Sequence, residues 1–146
     1  MQTEDRELIR IFQYITKGEI MCDWNDFEFN EPYDGEEISS VLGVPLPAQY
    51  IAFMKKHNGG EGDIGGISWL MLDRLESLQE LNEALKEFLP AETIIIGSDG
   101  ASELYGVNSE GFYLNLPETI EEEYISYLGN DLNELPQRIF ELWNNM

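Results

Sequence analysis

Cys22 and His57 are single representatives of their kinds in this chain of 146 residues. A thiol and an imidazole can pair as nucleophile and base, but neither lies in a nucleophile signature. His57 falls at the end of a predicted helix, where a cation meets the negative end of the helix dipole. Zinc needs clustered Cys, His or carboxylate ligands, and one Cys with one His does not supply a zinc motif. Cys22 reads as a small buried hydrophobe. Asp23-x-Asn25 has the opening of a calcium loop, yet Glu28 stands where that loop needs glycine and Asp34 where it needs a bidentate glutamate. Gly60-Glu-Gly-Asp-Ile-Gly65 spells G-x-G-x-x-G. A dinucleotide site requires a strand before that sequence and a helix after it. Here the predicted order is reversed, and Glu61 and Asp63 would repel phosphate, so the segment reads as a turning loop. Carboxylates are too abundant for any one pair to stand out as acid and base. No catalytic, cofactor-binding or metal-ligating residue is assigned.

Charge is the strongest compositional signal. Twenty-nine acids against eight bases give a net charge of −21. From Gly18 to Met54 there are eight acids and no Lys or Arg, and from Glu87 onward twelve acids and one base, Arg138. Three Trp, seven Tyr and seven Phe need a core to pack in, which sets the chain apart from acidic disordered sequences. Such a surface repels nucleic acid and anionic membrane. It favours basic protein partners with fast, salt-sensitive association; solubility alone is the competing reading. The unpaired cysteine suggests a reducing compartment. No signal peptide is recognised, and no apolar run reaches the length of a membrane span. The expectation is one cytoplasmic domain over residues 1–146.

The elements that must carry these residues follow from periodicity. Leu8, Ile11, Phe12 and Ile15 mark an amphipathic helix over residues 4–16. Phe27 and Phe29 alternate with acids in a short strand over 26–30. Residues 36–42 read as a short helix with acids at its positive end. A second helix starts at Pro47, which suits a first helical position. Tyr50, Phe53, Met54 and His57 share one of its faces, Lys55 and Lys56 sit in its last turn, and Asn58-Gly59 stops it. Residues 67–72 form a strand apolar on both faces, hence internal. A helix follows, capped by Asp73 or Ser77, with Leu78, Leu81 and Leu85 on its buried face and Asn82 beside them. Thr93–Ile96 is a β-branched central strand. Residues 101–107 and 112–116 form a hairpin about Asn108–Gly111, with Gly111 at positive φ. An acidic loop, a strand over 124–128 and a final helix entered through Asp131 and Pro136 complete the chain. The fold class is α+β: a mixed, largely antiparallel sheet flanked by helices.

The stretch Leu42-Gly43-x-x-Leu46-Pro47-x-x-Tyr50-x-x-Phe53 running into Asn58-Gly59-Gly60 resembles the hallmark of the SUKH superfamily, which includes bacterial toxin-immunity proteins and fungal cell-wall-synthesis regulators. The later order of strand, helix, strand, Gly-x-Asp-Gly, strand, turn and strand extends the resemblance over residues 36–143. The resemblance implies a non-enzymatic binding protein without cofactors. Its implied partner is a cognate toxin, with a basic nuclease as one candidate, blocked by steric and electrostatic contact; a regulatory scaffold is the alternative. Tyr50 and Trp69 are expected in the core. The candidate partner-binding residues are the loop acids Glu61, Asp63, Glu118, Glu121, Glu122 and Glu123. Leu46, Pro47, Tyr50, Phe53, Asn58, Gly59 and Gly60 are expected to be structural.

Overall fold

The computed structural model describes residues 23–64, 68–117 and 120–144. The helix expected over residues 4–16, Cys22 and Glu118 lie outside the described residues. In chain order the elements are β1 (Phe27–Phe29), β2 (Ser40–Val41), β3 (Val44–Pro45), α1 (Ala48–Lys56), β4 (Gly60–Asp63), β5 (Trp69–Leu72), α2 (Leu75–Leu85), β6 (Thr93–Ser98), β7 (Glu103–Asn108), β8 (Tyr113–Pro117), β9 (Ser126–Tyr127) and α3 (Leu135–Asn144). Seven strands form one sheet in the order β1-β4-β5-β6-β7-β8-β9. Every pairing in it is antiparallel. The fold is α+β.

Strand alternation sends successive side chains to opposite faces. Ile94 and Ile96 of β6 join Tyr50, Met54, Leu70, Leu72, Tyr105, Leu135 and Ile139 in the larger core. Ile95 points the other way and joins Leu114 and Leu116 in a smaller one, against Leu81 and Leu85 of α2. Asn82 sits fully buried between α2 and the sheet. Its Oδ1 accepts from the Ile95 N–H at 2.6 Å, and its Nδ2 donates to the Ile95 carbonyl at 2.9 Å. The side chain thus supplies hydrogen bonds to β6 beside the irregularity between Ile95 and Gly97, where the β6–β7 register shifts. A buried backbone group without such a partner would cost stability.

Two expectations fail here. Residues 36–42 are not helical: Ser40–Val41 and Val44–Pro45 pair as a hairpin. Its turn residues, Leu42 (φ 50°) and Gly43 (φ 79°), both lie in the left-handed region, as a tight primed turn demands. The spacing of Ile38, Val41 and Leu42 suited a helix, but β-branched residues beside two serines yield to the hairpin. The second correction is Gly60–Asp63, expected as a loop and found as β4, an inner strand between β1 and β5. A Cβ on Gly60 or Gly62 would collide with the backbone of β1, so the glycines are what allow that pairing. Gly62→Val is accordingly not the mild change that a loop position would make it.

Candidate partner-binding surface

The signature residues build the scaffold. Pro47 opens α1 as its N-cap, and Lys55 and Lys56 occupy its last turn. Tyr50 and Met54 are fully buried and Leu46 is buried. Phe53 is only partly buried, in an aromatic group where its ring centroid lies 5.5 Å from that of Trp24 and 5.7 Å from that of Phe29. His57 closes the helix and stacks on Phe29 at 4.3 Å. Gly59 has φ +81°, and a Cβ there would run into the Leu72 carbonyl. That reversal brings β4 onto β5.

Asn58 does something the sequence did not reveal. It is buried, its Oδ1 accepts from the Leu75 N–H at 2.8 Å, and its Nδ2 donates to the Glu76 carboxylate at 2.8 and 3.1 Å. Helix α2 is therefore capped from another element, whereas Asp73 and Ser77 were expected; its own N-cap, Arg74, makes no side-chain cap bond. Buried Asn58 ties the end of α1 to the start of α2.

Burial also sets the titration of the core. The Tyr50 and Tyr113 hydroxyls are buried and find no hydrogen-bond partner among the described residues. Desolvation pushes both far above the ordinary tyrosine range, with Tyr113 and Asp73 adding at Tyr50 and Asp131 adding at Tyr113. Desolvation also raises Asp73. Asp131 is held below the ordinary carboxylate range by the Gln49 amide and the Asn133 N–H. Asp23, the residue considered for calcium, accepts from the backbone and side chain of Asn25 in a local turn. No group of three or more His, Cys, Asp and Glu among the described residues is arranged to hold a metal ion.

The candidate acids fall into two separate places. Glu61 is exposed on β4, and Asp63 is half-buried on the same strand. Glu121, Glu122 and Glu123 are exposed at a 3-10 turn between β8 and β9. Four strands intervene between β4 and β9, which sets them about 24 Å apart at ~4.8 Å per strand. One contiguous acidic epitope does not contain both groups.

What lies beside each group was not foreseen. Glu28 of β1 stands directly opposite Glu61, Glu61 opposite Met71, and Asp63 opposite Trp69. Direct partners share a face, so these residues form the outer surface of β1, β4 and β5. Trp69 is 49% exposed and Met71 36%, while Leu70 and Leu72, which alternate with them, are buried. Trp69, expected in the core, is at the surface: an apolar run cannot by itself say whether a strand is covered on one face or two. The Glu28–Glu61 pair is a like-charge juxtaposition, unfavourable until a cation meets it. At the other end, Glu122 shares a cleft of about 480 Å³ with Glu92, Glu110 and exposed Tyr127.

No helix among the described residues is long and apolar enough to cross a membrane. The family model described as SMI1 / KNR4 family (SUKH-1) matches residues 31–145, most of the chain, and the chain belongs to that family. No curated protein matches it.

Proposed function

We propose, with membership of the SUKH-1 family as the premise, that this chain is a non-enzymatic binding protein, an immunity protein that neutralises a cognate toxin by steric and electrostatic blocking. The observation that carries the reading is the outer face of β1, β4 and β5, where the juxtaposed carboxylates of Glu28 and Glu61 flank exposed Met71 and Trp69. Acids around an apolar centre suit a protein surface rich in Lys and Arg. A basic nuclease presents such a surface where it grips phosphates, so this chain and nucleic acid would compete for the same toxin contacts. The −21 charge adds long-range steering toward such a partner. The partner set includes neither nucleic acid nor membrane. The reading places the protein in the cytoplasm, where such a toxin would act.

The alternative, a regulatory scaffold, rests on the fungal cell-wall-synthesis regulators that the superfamily includes. Gene context separates the two. An immunity protein protects cells that express the toxin encoded beside it, and its purified form binds that toxin with a salt-dependent association rate. Failure to restore growth, with the protein soluble and expressed, overturns the immunity reading in favour of the scaffold.

A further inference from the structure

The sheet is incomplete at one end. Strand β6 stands opposite Met71 and Leu72 of β5 but not opposite Trp69 or Leu70. The chain leaves β6 at Ser98 and re-enters the sheet at Glu103. A cleft of about 420 Å³ opens there, lined by Trp69, Tyr105 and Trp143 together with Asp99 and Glu103. Exposed Trp69, half-buried Trp143 and two carboxylates around one opening, with Tyr105 buried at its lining, match the chemistry of cation capture, in which aromatic rings and anions act together.

Other observations point to the same sign of charge. Trp143 belongs to the last turn of α3, and that turn carries no basic residue, so the negative end of the helix dipole is uncompensated by its own side chains. Burial raises the Tyr105 hydroxyl to about 12; the Asp99 and Glu103 carboxylates add to the rise, and a side-chain hydrogen bond with Trp143 opposes it. Asp99 is held in place by accepting from the Ala101 and Glu103 N–H groups at 2.8 and 3.1 Å. Glu103 accepts from Asn115 at 3.3 Å. Both carboxylates are therefore positioned before any partner arrives.

We propose that this cleft seats one arginine or lysine side chain of a partner protein, with its aliphatic stem on Trp69 and its charged head between Asp99 and Glu103. The proposal rests on the reading of the chain as a binder of basic proteins and adds where the first cation goes. Trp69 also belongs to the outer face of β5, so the seat adjoins the surface bearing Glu61 and Met71.

The test titrates ¹⁵N-labelled protein with a blocked tri-arginine peptide. The indole N–H signals of Trp69 and Trp143 and the amides of Asp99 to Glu103 should move together and saturate. Trp69→Ala, Asp99→Asn and Glu103→Gln should each weaken binding at least fivefold with the spectrum of the fold retained, and Trp69→Phe should weaken it less than Trp69→Ala. Glu121→Gln should leave it within twofold. A blocked tri-norleucine peptide that binds equally well overturns the proposal, because the site would then be merely apolar. So does spermine that binds tighter than the peptide, or a shift spread evenly over the acidic surface. The same variants then enter the growth-rescue experiment. If the wild-type chain fails to rescue while tri-arginine still seats at Trp69, the immunity reading falls and the cleft stands. If rescue by Trp69→Ala and Glu103→Gln is as complete as by wild type, the cleft's role in partner binding falls and the immunity reading stands.

Discussion

Asn58→Ala isolates one side chain whose task is to hold two helices together. The substitution removes the acceptor of the Leu75 N–H and the donor to Glu76. It leaves the backbone bond from the residue 58 N–H to Glu31 in place, and the residue 58 carbonyl still accepts from the Asn30 side chain. Losing an N-cap costs about 0.5–2 kcal/mol. The Leu75 N–H lies in a buried setting where water does not readily replace the lost acceptor, which moves the expected loss to about 2–3 kcal/mol. Glu76 is exposed and adds little to that figure. Asn58→Asp tests the geometry more sharply. It keeps an acceptor for Leu75 but turns the donor into a carboxylate oxygen facing the Glu76 carboxylate. It should destabilise at neutral pH, and adding Glu76→Gln should return at least about 0.5 kcal/mol through a donor from the new amide. Urea unfolding of the four chains of this cycle supplies the numbers, provided the m-value is unchanged. A loss below about 0.5 kcal/mol for Asn58→Ala, or no recovery when Glu76→Gln is added to Asn58→Asp, refutes the remote cap.

Gly43 and Gly59 have nearly the same φ, 79° and 81°, but a Cβ on Gly43 meets nothing within 4 Å while one on Gly59 strikes the Leu72 carbonyl. Gly43→Ala should cost about 1–2 kcal/mol from backbone strain alone and Gly59→Ala at least about 1 kcal/mol more, read from denaturant midpoints. Phe53→Ala should fall near or below the lower end of about 3–5 kcal/mol because the ring is only partly buried; a loss under about 1 kcal/mol with the fold intact would refute its packing role. The raised Tyr50 and Tyr113 hydroxyls make the folded chain resist ionisation that the unfolded chain undergoes from the ordinary value of 10.0 upward. Their contribution is fully present below pH 10 and declines above it, so Tyr50→Phe with Tyr113→Phe should flatten the alkaline arm of a stability–pH curve. Changing Glu121, Glu122 and Glu123 together to Gln should slow association with a basic partner about tenfold at low salt and change dissociation less; a stopped-flow rate insensitive to salt would contradict charge steering.

Much of the architecture was legible because its signals are local. The β-branched run Thr93–Ile96, the turn at Asn108–Gly111 and the α1 pattern from Pro47 to Asn58 each carry their own start, face and stop. What escaped depends on neighbours far away in sequence. Gly60–Asp63 has no intrinsic preference for a strand; it becomes one because β1 and β5 lie on either side of it. Asn58 could be read as a helix stop but not as the cap of a helix that begins at Leu75. Acidic loops were the natural place to look for a partner site, since loops on a rigid scaffold commonly carry recognition. Glu61 and Asp63 instead lie on a strand, and the surface gains its character from Glu28, Trp69 and Met71, whose alignment is a matter of register.

The short meeting of β5 with β6 has a kinetic consequence. Strands β6 to β9 follow one another and pair in sequence order, a meander that can close one short loop at a time. Strand β1 must instead find β4 across the whole of α1, Phe27 meeting Gly62. β5 then joins the meander only through Met71 and Leu72, from the far side of α2. Local pairings form fastest and distant ones last. In refolding of the full-length chain the β6–β9 meander and the β4–β5 pair, both local, should form before β1 docks, and the outer face gains Glu28 only with that last step. A full-length refolding chain would hold Glu61, Met71 and Trp69 together before Glu28 joins them.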